Sequence, residues 1–285
     1  MKQGKCILLT GVSGFIGRSL YKKLSEAGYE VWGISRKKSV NNRIVQGDLL
    51  SFDSTMHAIS LIPDCPIIIH GAALNISGEK GQGRDYISIN KTITENIVRA
   101  TKRNQPYFIF LSSVAVYGED GRTAPVSVFD ELRPSTEYGM SKVICEEIIK
   151  RSSLANYQIL RLCPVFDDCC QKNIKSRIYL PGQSKLKLVI MPSPHYGLCH
   201  VNTLARTILS LLAGETKGQA VINVVDSYPY CQNQLSKRFD GIGIPCPVIF
   251  LTPLYYSLFL LPPQRSYKLR CLFWKLFKSN LYNFI

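Results

Sequence analysis

Thr10-Gly-Val-Ser-Gly-Phe-Ile-Gly17 follows the apolar run Cys6–Leu9 and opens an amphipathic stretch, Ile16–Ala27. Its glycines stand at 11, 14 and 17. Gly11 allows a tight turn, Gly14 lets backbone N–H groups approach a pyrophosphate, and Gly17 lets helix and strand pack closely. The helix that follows contributes the positive end of its dipole. A lone glycine triplet also marks plain turns. Here it sits between a strand and a helix at the start of a βαβ unit, the context a dinucleotide site requires. Ile16, Leu20, Leu24 and Ala27 share one face of that helix, and Gly28 ends it.

Working outward, short apolar runs alternate with helical patterns. Strands are expected at Glu30–Ile34, Ile44–Gln46, Ile67–His70, Tyr107–Leu111 and Gln158–Cys163, and a helix around Ile87–Arg103. Such alternation predicts an α/β fold, a Rossmann-type doubly wound parallel sheet, over residues 1–165. After about Phe166 prolines, glycines and basic residues take over. A smaller, less regular C-terminal lobe is expected over 166–285, with a helix at Val201–Ala213 and a strand at Ala220–Val225 as its firmest elements.

The 285 residues are 46% hydrophobic and 19% charged, which is ordinary globular material. The N-terminal apolar run is too short for a signal peptide. Pro247–Pro263 is broken by Pro253 and Pro262 and too short to span a bilayer. It reads as a buried or partner-facing segment. Lys268, Arg270, Lys275 and Lys278, among aromatics just after it, leave a peripheral membrane contact open. A cytoplasmic protein is expected. The ten cysteines show no CxxC pair and no Cys/His metal spacing, so reduced structural thiols and no metal site are expected. The net charge of +15 comes from scattered basic residues without a nucleic-acid-binding signature, which argues against specific nucleic-acid recognition.

Further motifs carry chemistry. Tyr138-Gly-Met-Ser-Lys142 places a tyrosine and a lysine on one helix face. A free tyrosine titrates near 10, and a neighbouring ammonium favours its phenolate. Taken with TGVSGFIG, these residues resemble the extended short-chain dehydrogenase/reductases, the nucleotide-sugar epimerase/dehydratase family. Gly47-Asp48-Leu49, His70-Gly-Ala-Ala73 and the Asn90 helix resemble its further motifs, although Ile93 replaces a family glycine. Asp130-Glu-Leu-Arg-Pro134 and Glu146 extend the pattern around Tyr138, and Leu111-Ser-Ser-Val-Ala-Val-Tyr-Gly118 resembles SSxxVYG. The similarity covers most of residues 6–165. It implies a cofactor site of Gly11, Ser13, Gly14, Phe15, Ile16, Gly17, Arg36, Asp48, Leu49, Gly71, Ala72, Ala73, Asn90, Tyr138 and Lys142. It also implies a catalytic set in which Ser113 orients the sugar oxygen, Tyr138 moves its proton and Lys142 holds the nicotinamide ribose. Ser112 reads as structural. A homodimer is implied as well.

Val114 and Ala115 stand where the dehydratase branch has an acidic pair, which argues against sugar dehydration. NAD-selective members place a carboxylate near position 35 for the ribose 2′-hydroxyl. Ser35 cannot repel a 2′-phosphate and Arg36 can pair with it, so NADP(H) is preferred to NAD(H). A consumed NADPH favours reduction of a 4-keto sugar nucleotide, with a nucleotide-sugar 4-epimerase as the alternative.

The substrate-binding lobe departs more from the family. Asp167 stands where glycine is usual and Thr203 replaces an aspartate. Tyr196 replaces the arginine that grips the substrate diphosphate. Lys172, Asn173, Lys175 and Arg177 are candidate anion contacts, or a solvated loop. The chain is also shorter than family members usually run, so an incomplete or differently built pocket is a further expectation. A non-catalytic cofactor-binding protein and a reductase of a non-sugar carbonyl remain as competing readings.

Overall fold

The computed structural model describes residues 6–74, 85–118, 124–180, 182–214 and 218–283, without the side chains of Pro263, Gln264, Arg265 and Lys268. The expectation of no signal peptide and the side chain of Lys268 fall outside these residues. Two compact units form, each built from three stretches of chain. One comprises Met1–Ser113, Glu137–Arg161 and Val201–Ile222; the other Val114–Thr136, Leu162–His200 and Asn223–Ile285.

The fold is α/β and Rossmann-like. Its strands are β1 (Cys6–Thr10), β2 (Glu30–Ser35), β3 (Ile44–Gln46), β4 (Ile67–His70), β5 (Tyr107–Ser113), β6 (Tyr157–Leu162) and a last strand, Gln219–Val224. The sheet order is Gln219–Val224, β6, β5, β4, β1, β2, β3. The chain therefore reverses direction of build between β1 and β4, the switch point at which such sheets bind ligands. Ile7 pairs with Val31 on one side and Ile67 on the other, and β4 is wholly buried, as a strand covered on both faces must be. Helices α1 (Phe15–Glu26), α2 (Phe52–Ser60), α3 (Tyr86–Thr101) and α4 (Glu137–Lys150) cover the sheet, with α3 packed along α4. Leu8, Ile68, Ile97, Phe108, Ile149 and Ile159 belong to its core.

The other unit holds short strand pairs. Val165–Phe166 pairs with Cys199–His200, His195–Tyr196 with Tyr230–Cys231, and Leu186–Met191 with Ile242–Pro247. Two small cores hold it, one around Ile174, Tyr196 and Leu198 and another around Leu188, Tyr255 and Phe273. Among the described residues no helix is long and apolar enough to cross a membrane, and no cluster of His, Cys, Asp or Glu could hold a metal ion.

One cysteine expectation is corrected. Cys6 and Cys65 form a disulfide, with Cα atoms 4.8 Å apart, and the other eight cysteines are free. The register of β1 against β4, Ile7 opposite Ile67, brings these two together.

Candidate active site

β1 ends at Thr10 and the chain turns through Gly11 at φ +77°. A Cβ at Gly11 would lie 2.7 Å from the Gly71 carbonyl carbon, so this turn presses against the exit of β4. At Gly17 a Cβ would fall 2.1 Å from the Gly11 carbonyl oxygen, so helix and turn meet backbone to backbone. Gly14 caps α1 without a side-chain hydrogen bond, and the first turn of α1 has no acidic residue. The first amides of a helix lack intrahelical partners, and a bare cap leaves them open to an anion. Ser13, Phe15 and Ile16 belong to this same turn. The residues fit a dinucleotide pyrophosphate.

Beyond β2, Ser35 is buried and its Oγ accepts from the Lys37 amide at 3.2 Å. Arg36 is exposed and forms no ion pair among the described residues. Asp48 is also exposed; its Oδ1 accepts from the Leu50 amide at 3.0 Å, while Leu49 is buried. Gly71, Ala72 and Ala73 leave β4 half-buried. The Ala72 amide donates to Thr10 Oγ1 at 3.2 Å, and Thr10 Oγ1 lies 2.7 Å from His70 Nδ1. Thr94 Oγ1 donates to the Asn90 carbonyl at 2.8 Å and so accepts from Nε2, which leaves Nδ1 to accept the Thr10 hydroxyl proton. His70 Nε2 then carries the ring proton toward Thr94 Oγ1 at 3.2 Å. Burial, with Lys142 adding to it, pushes the imidazole down to about 3, so it stays neutral.

Asn90 links elements. Its Oδ1 accepts from the Leu74 amide at 2.7 Å, and its Nδ2 donates to the Leu74 carbonyl and to Ser141 Oγ. Ser141 in turn donates to the Tyr138 carbonyl at 2.8 Å. The segment leaving β4 is thereby tied to the first turn of α4.

Ser113 ends β5 and Tyr138 lies in the first turn of α4, both half-buried and near enough for the Ser113 side chain to act on the Tyr138 hydroxyl. Lys142, one helical turn on, is 3% exposed, and its Nζ donates to the Leu111 carbonyl at 2.9 Å. That is its hydrogen-bond partner among the described residues, whereas an ammonium has three donors. Two remain for a polyhydroxylated group such as a ribose. Burial pushes Lys142 down to about 8, with Cys145 and Glu146 acting in the opposite sense. Burial also pushes Tyr138 up to about 12, against the lowering effect of its Ser113 hydrogen bond. The expected depression of Tyr138 by Lys142 does not arise: Nζ lies 5.9 Å from the centre of the tyrosine ring, and desolvation dominates. At neutral pH Tyr138 is the protonated, donating form.

Ser112, beside Ser113, donates to Glu146 Oε1 at 2.6 Å, and Arg161 Nη2 donates to Glu146 Oε2 at 2.7 Å. This buried ion pair clamps β5, α4 and β6 at the base of the site. Val114 is buried in the turn after β5, where Val114 and Ala115 supply no acid or base. Thr10, His70 and Arg161 were not singled out from sequence as site-building residues. The signal available was their place inside motifs, Thr10 in TGVSGFIG, His70 in HGAA and Arg161 in the Ile159–Phe166 stretch that resembles LRxxxVYG.

In the other unit Lys172 and Asn173 are exposed at the short helical turn Lys172–Lys175, and Asn173 Nδ2 donates to the Val165 carbonyl at 2.7 Å. Arg177 is 3% exposed. Its Nη1 donates to the Asn173 carbonyl at 2.8 Å, its guanidinium lies 5.5 Å from the Tyr196 ring centre, and its Nε has no hydrogen-bond partner among the described residues. Tyr196 is fully buried and donates to the Leu276 carbonyl at 2.6 Å, a place in the core beneath Arg177. An open cleft of about 330 Å³, lined in part by Lys175, Lys185 and Arg238, contains none of Ser113, Tyr138 or Lys142.

Residues 7–224 match the model of the NAD dependent epimerase/dehydratase family. The chain belongs to that family. A UDP-glucose 4-epimerase of Yersinia pestis is 31% identical over 53% of this chain and 49% of its own length. The chain thus spans about half the length of this curated relative and of the UDP-glucose 4-epimerases of Schizosaccharomyces pombe and Cyamopsis tetragonoloba, and 72% of that of Vibrio cholerae at 26% identity. The solved UDP-Glc/GlcNAc 4-epimerase of Campylobacter jejuni shares the fold with a TM-score of 0.71 at 20% identity, covering 86% of this chain and 87% of that one. A dTDP-4-dehydrorhamnose reductase of Bacillus anthracis, solved in complex with NADP, has a TM-score of 0.68 at 19% identity, covering 87% and 86%. At these identities the likeness to solved structures is one of fold. Membership of the epimerase/dehydratase family accords with the glycine turn at the β1–β4 switch point, where Gly11 presses on Gly71.

Proposed function

We propose that this epimerase/dehydratase family member is an NADP(H)-dependent oxidoreductase that reduces the 4-keto group of a nucleotide-activated sugar. The observation that carries the reading is the Ser113–Tyr138 hydroxyl pair beside buried Lys142, with Tyr138 held protonated. Reduction of a carbonyl needs a proton for the developing alkoxide, and a phenol near 12 is stocked with one at neutral pH. Ser113 orients the carbonyl oxygen by hydrogen bonding. Lys142 binds the nicotinamide ribose with its remaining donors, and its charge favours the phenolate left on Tyr138. The nicotinamide cofactor, when bound, supplies the hydride. Gly11, Gly14 and Gly17 hold its pyrophosphate, and Arg36 takes the 2′-phosphate that Ser35 does not repel. The other unit holds a buried cation of its own, Arg177, whose Nε has no hydrogen-bond partner among the described residues and whose charge is of the sign a diphosphate pairs with.

A second reading, 4-epimerisation with recycled cofactor, is favoured by the UDP-glucose 4-epimerases among the relatives. Incubation with NADPH and UDP- or dTDP-linked 4-keto sugars separates the two. Stoichiometric loss of reduced nicotinamide absorbance with formation of the 4-hydroxy sugar is expected. Interconversion of UDP-glucose with its 4-epimer, without net cofactor change, would replace this reading by the second. Turnover of simple carbonyls that nucleoside diphosphates do not inhibit would exclude both.

A further inference from the structure

The chain from Val248 onward forms a turn at Val248–Phe250, a helix at Thr252–Ser257, a turn at Leu258–Leu260 and a long helix at Pro263–Phe277. It is anchored to its own unit by one set of side chains. Val248 and Tyr255 are buried with Leu188, Ile190 and Phe273, and the Tyr255 ring lies 4.9 Å from that of Phe273. Leu251, Trp274 and Phe277 also pack against this core, whereas a further set of large apolar side chains in the segment is exposed. Ile249 is 73% exposed, Phe250 77% and Leu260 88%, and Leu254, Phe259 and Leu261 are exposed between and beside them. Leu269 and Leu272, one turn apart on the long helix, are exposed as well. Single exposed apolar residues are ordinary, but a run of them within one short segment marks an interaction surface.

The charge around this run has one sign. From Gly241 to Ile285 the sequence contains Arg265, Lys268, Arg270, Lys275 and Lys278 and no aspartate or glutamate. The Arg270 guanidinium lies 4.2 Å from the centre of the exposed Phe259 ring, and Lys278 Nζ 5.9 Å from that of Trp274. Cations rooted among aromatic and aliphatic side chains suit a boundary where the apolar part leaves water and the charged heads meet phosphates. A second copy of the same face would set Arg270, Lys275 and Lys278 against their own like charges, with no aspartate or glutamate in the segment to compensate, in a chain of net charge +15. A six-residue and a fifteen-residue helix are too short to span a bilayer, so a contact with a lipid surface would be in its plane.

We infer that residues 249–278 form an in-plane docking surface for an anionic lipid bilayer. The apolar side chains of the Val248–Leu261 stretch enter the headgroup–acyl boundary, and Arg270, Lys275 and Lys278 pair with lipid phosphates. This goes beyond the proposed reaction and does not depend on it.

Flotation of the purified full chain with phosphatidylcholine vesicles, with and without phosphatidylglycerol, tests the inference. Binding to the anionic vesicles alone is expected, weakened about tenfold or more by raising salt to about 0.5 M. Phe250→Asp/Leu260→Asp should reduce it below detection with an unchanged circular dichroism spectrum, both side chains being exposed. Arg270→Gln/Lys278→Gln should weaken it about tenfold and keeps the test open should the first variant fold poorly. No binding to anionic vesicles, or binding that neither variant alters, would overturn the inference. So would a concentration-dependent dimer that Leu260→Asp dissolves, since that would give the face to a second copy.

Discussion

Around Tyr138 the buried polar groups of one unit close on one another. Glu146 is saturated by Ser112 and Arg161, Asn90 joins Leu74 to Ser141, and His70 sits between two threonines. In the other unit Arg177 is as deeply buried, yet its Nε has no partner among the described residues and its ring neighbour is the neutral Tyr196. A self-satisfied network holds reacting groups at fixed distances, which is what proton transfer requires. A buried cation short of acceptors costs stability by itself and gains it back when an anion arrives. Glu146, Asn90 and His70 are therefore finished scaffold around Lys142, which keeps donors for the proposed cofactor, and under the proposed function Arg177 in the other unit keeps one for an anion.

The largest effect expected on this contrast is at the hydroxyl pair. Tyr138→Phe should lower the reduction rate by at least about a thousandfold, roughly 4 kcal/mol, while NADPH affinity stays within about threefold. Steady-state kinetics beside a binding titration reads both; retained turnover would remove Tyr138 from the chemistry. In the other unit, Arg177→Leu should weaken inhibition by nucleoside diphosphates about a hundredfold, near 3 kcal/mol, and leave NADPH binding unchanged. Equal inhibition of both proteins would make Arg177 a structural cation and erase the contrast.

The third effect is on stability. His70 is held near 3 in the folded chain, against about 6.5 when unfolded. Between those values the unfolded state binds the extra proton, so stability falls as pH falls, by about 1.6 kcal/mol from 6.5 to 5. Denaturant melts across that window should show the loss, and His70→Gln, which cannot titrate, should flatten it. An unchanged slope in the variant would place the acid sensitivity elsewhere. The smallest effect is at Arg36: Arg36→Ala should raise the NADPH dissociation constant about tenfold, near 1.4 kcal/mol, with NADH unaffected. Equal changes for both would make Arg36 a surface residue.

The first unit was legible wherever its chemistry lies in local spacing. Gly11, Gly14 and Gly17 specify the turn because backbone approach at Gly71 and Gly11 forbids a Cβ, a constraint written into three positions. β3 and β4 follow the expected boundaries, and the other strands of the sheet differ by one or two residues at their ends. The meeting of Ser113 with Tyr138 was legible only through resemblance, since the two are 25 positions apart on different elements. The Glu146–Arg161 clamp was not read at all, because a buried ion pair has no periodicity. In the second unit Tyr196 and Arg177 carry no local signal of burial, and long-range packing decides both. Pro247–Pro263 was expected to be buried or partner-facing; only Val248 and Tyr255 of its large apolar side chains are buried.

A titration of the purified chain with NADPH and with NADH, followed by fluorescence, tests the central claim most directly. Saturable binding of NADPH, about tenfold tighter than NADH and unchanged in Tyr138→Phe, is the predicted result. No binding of either dinucleotide would contradict the account, because the glycine turn, Lys142 and Tyr138 would then have no cofactor to work with.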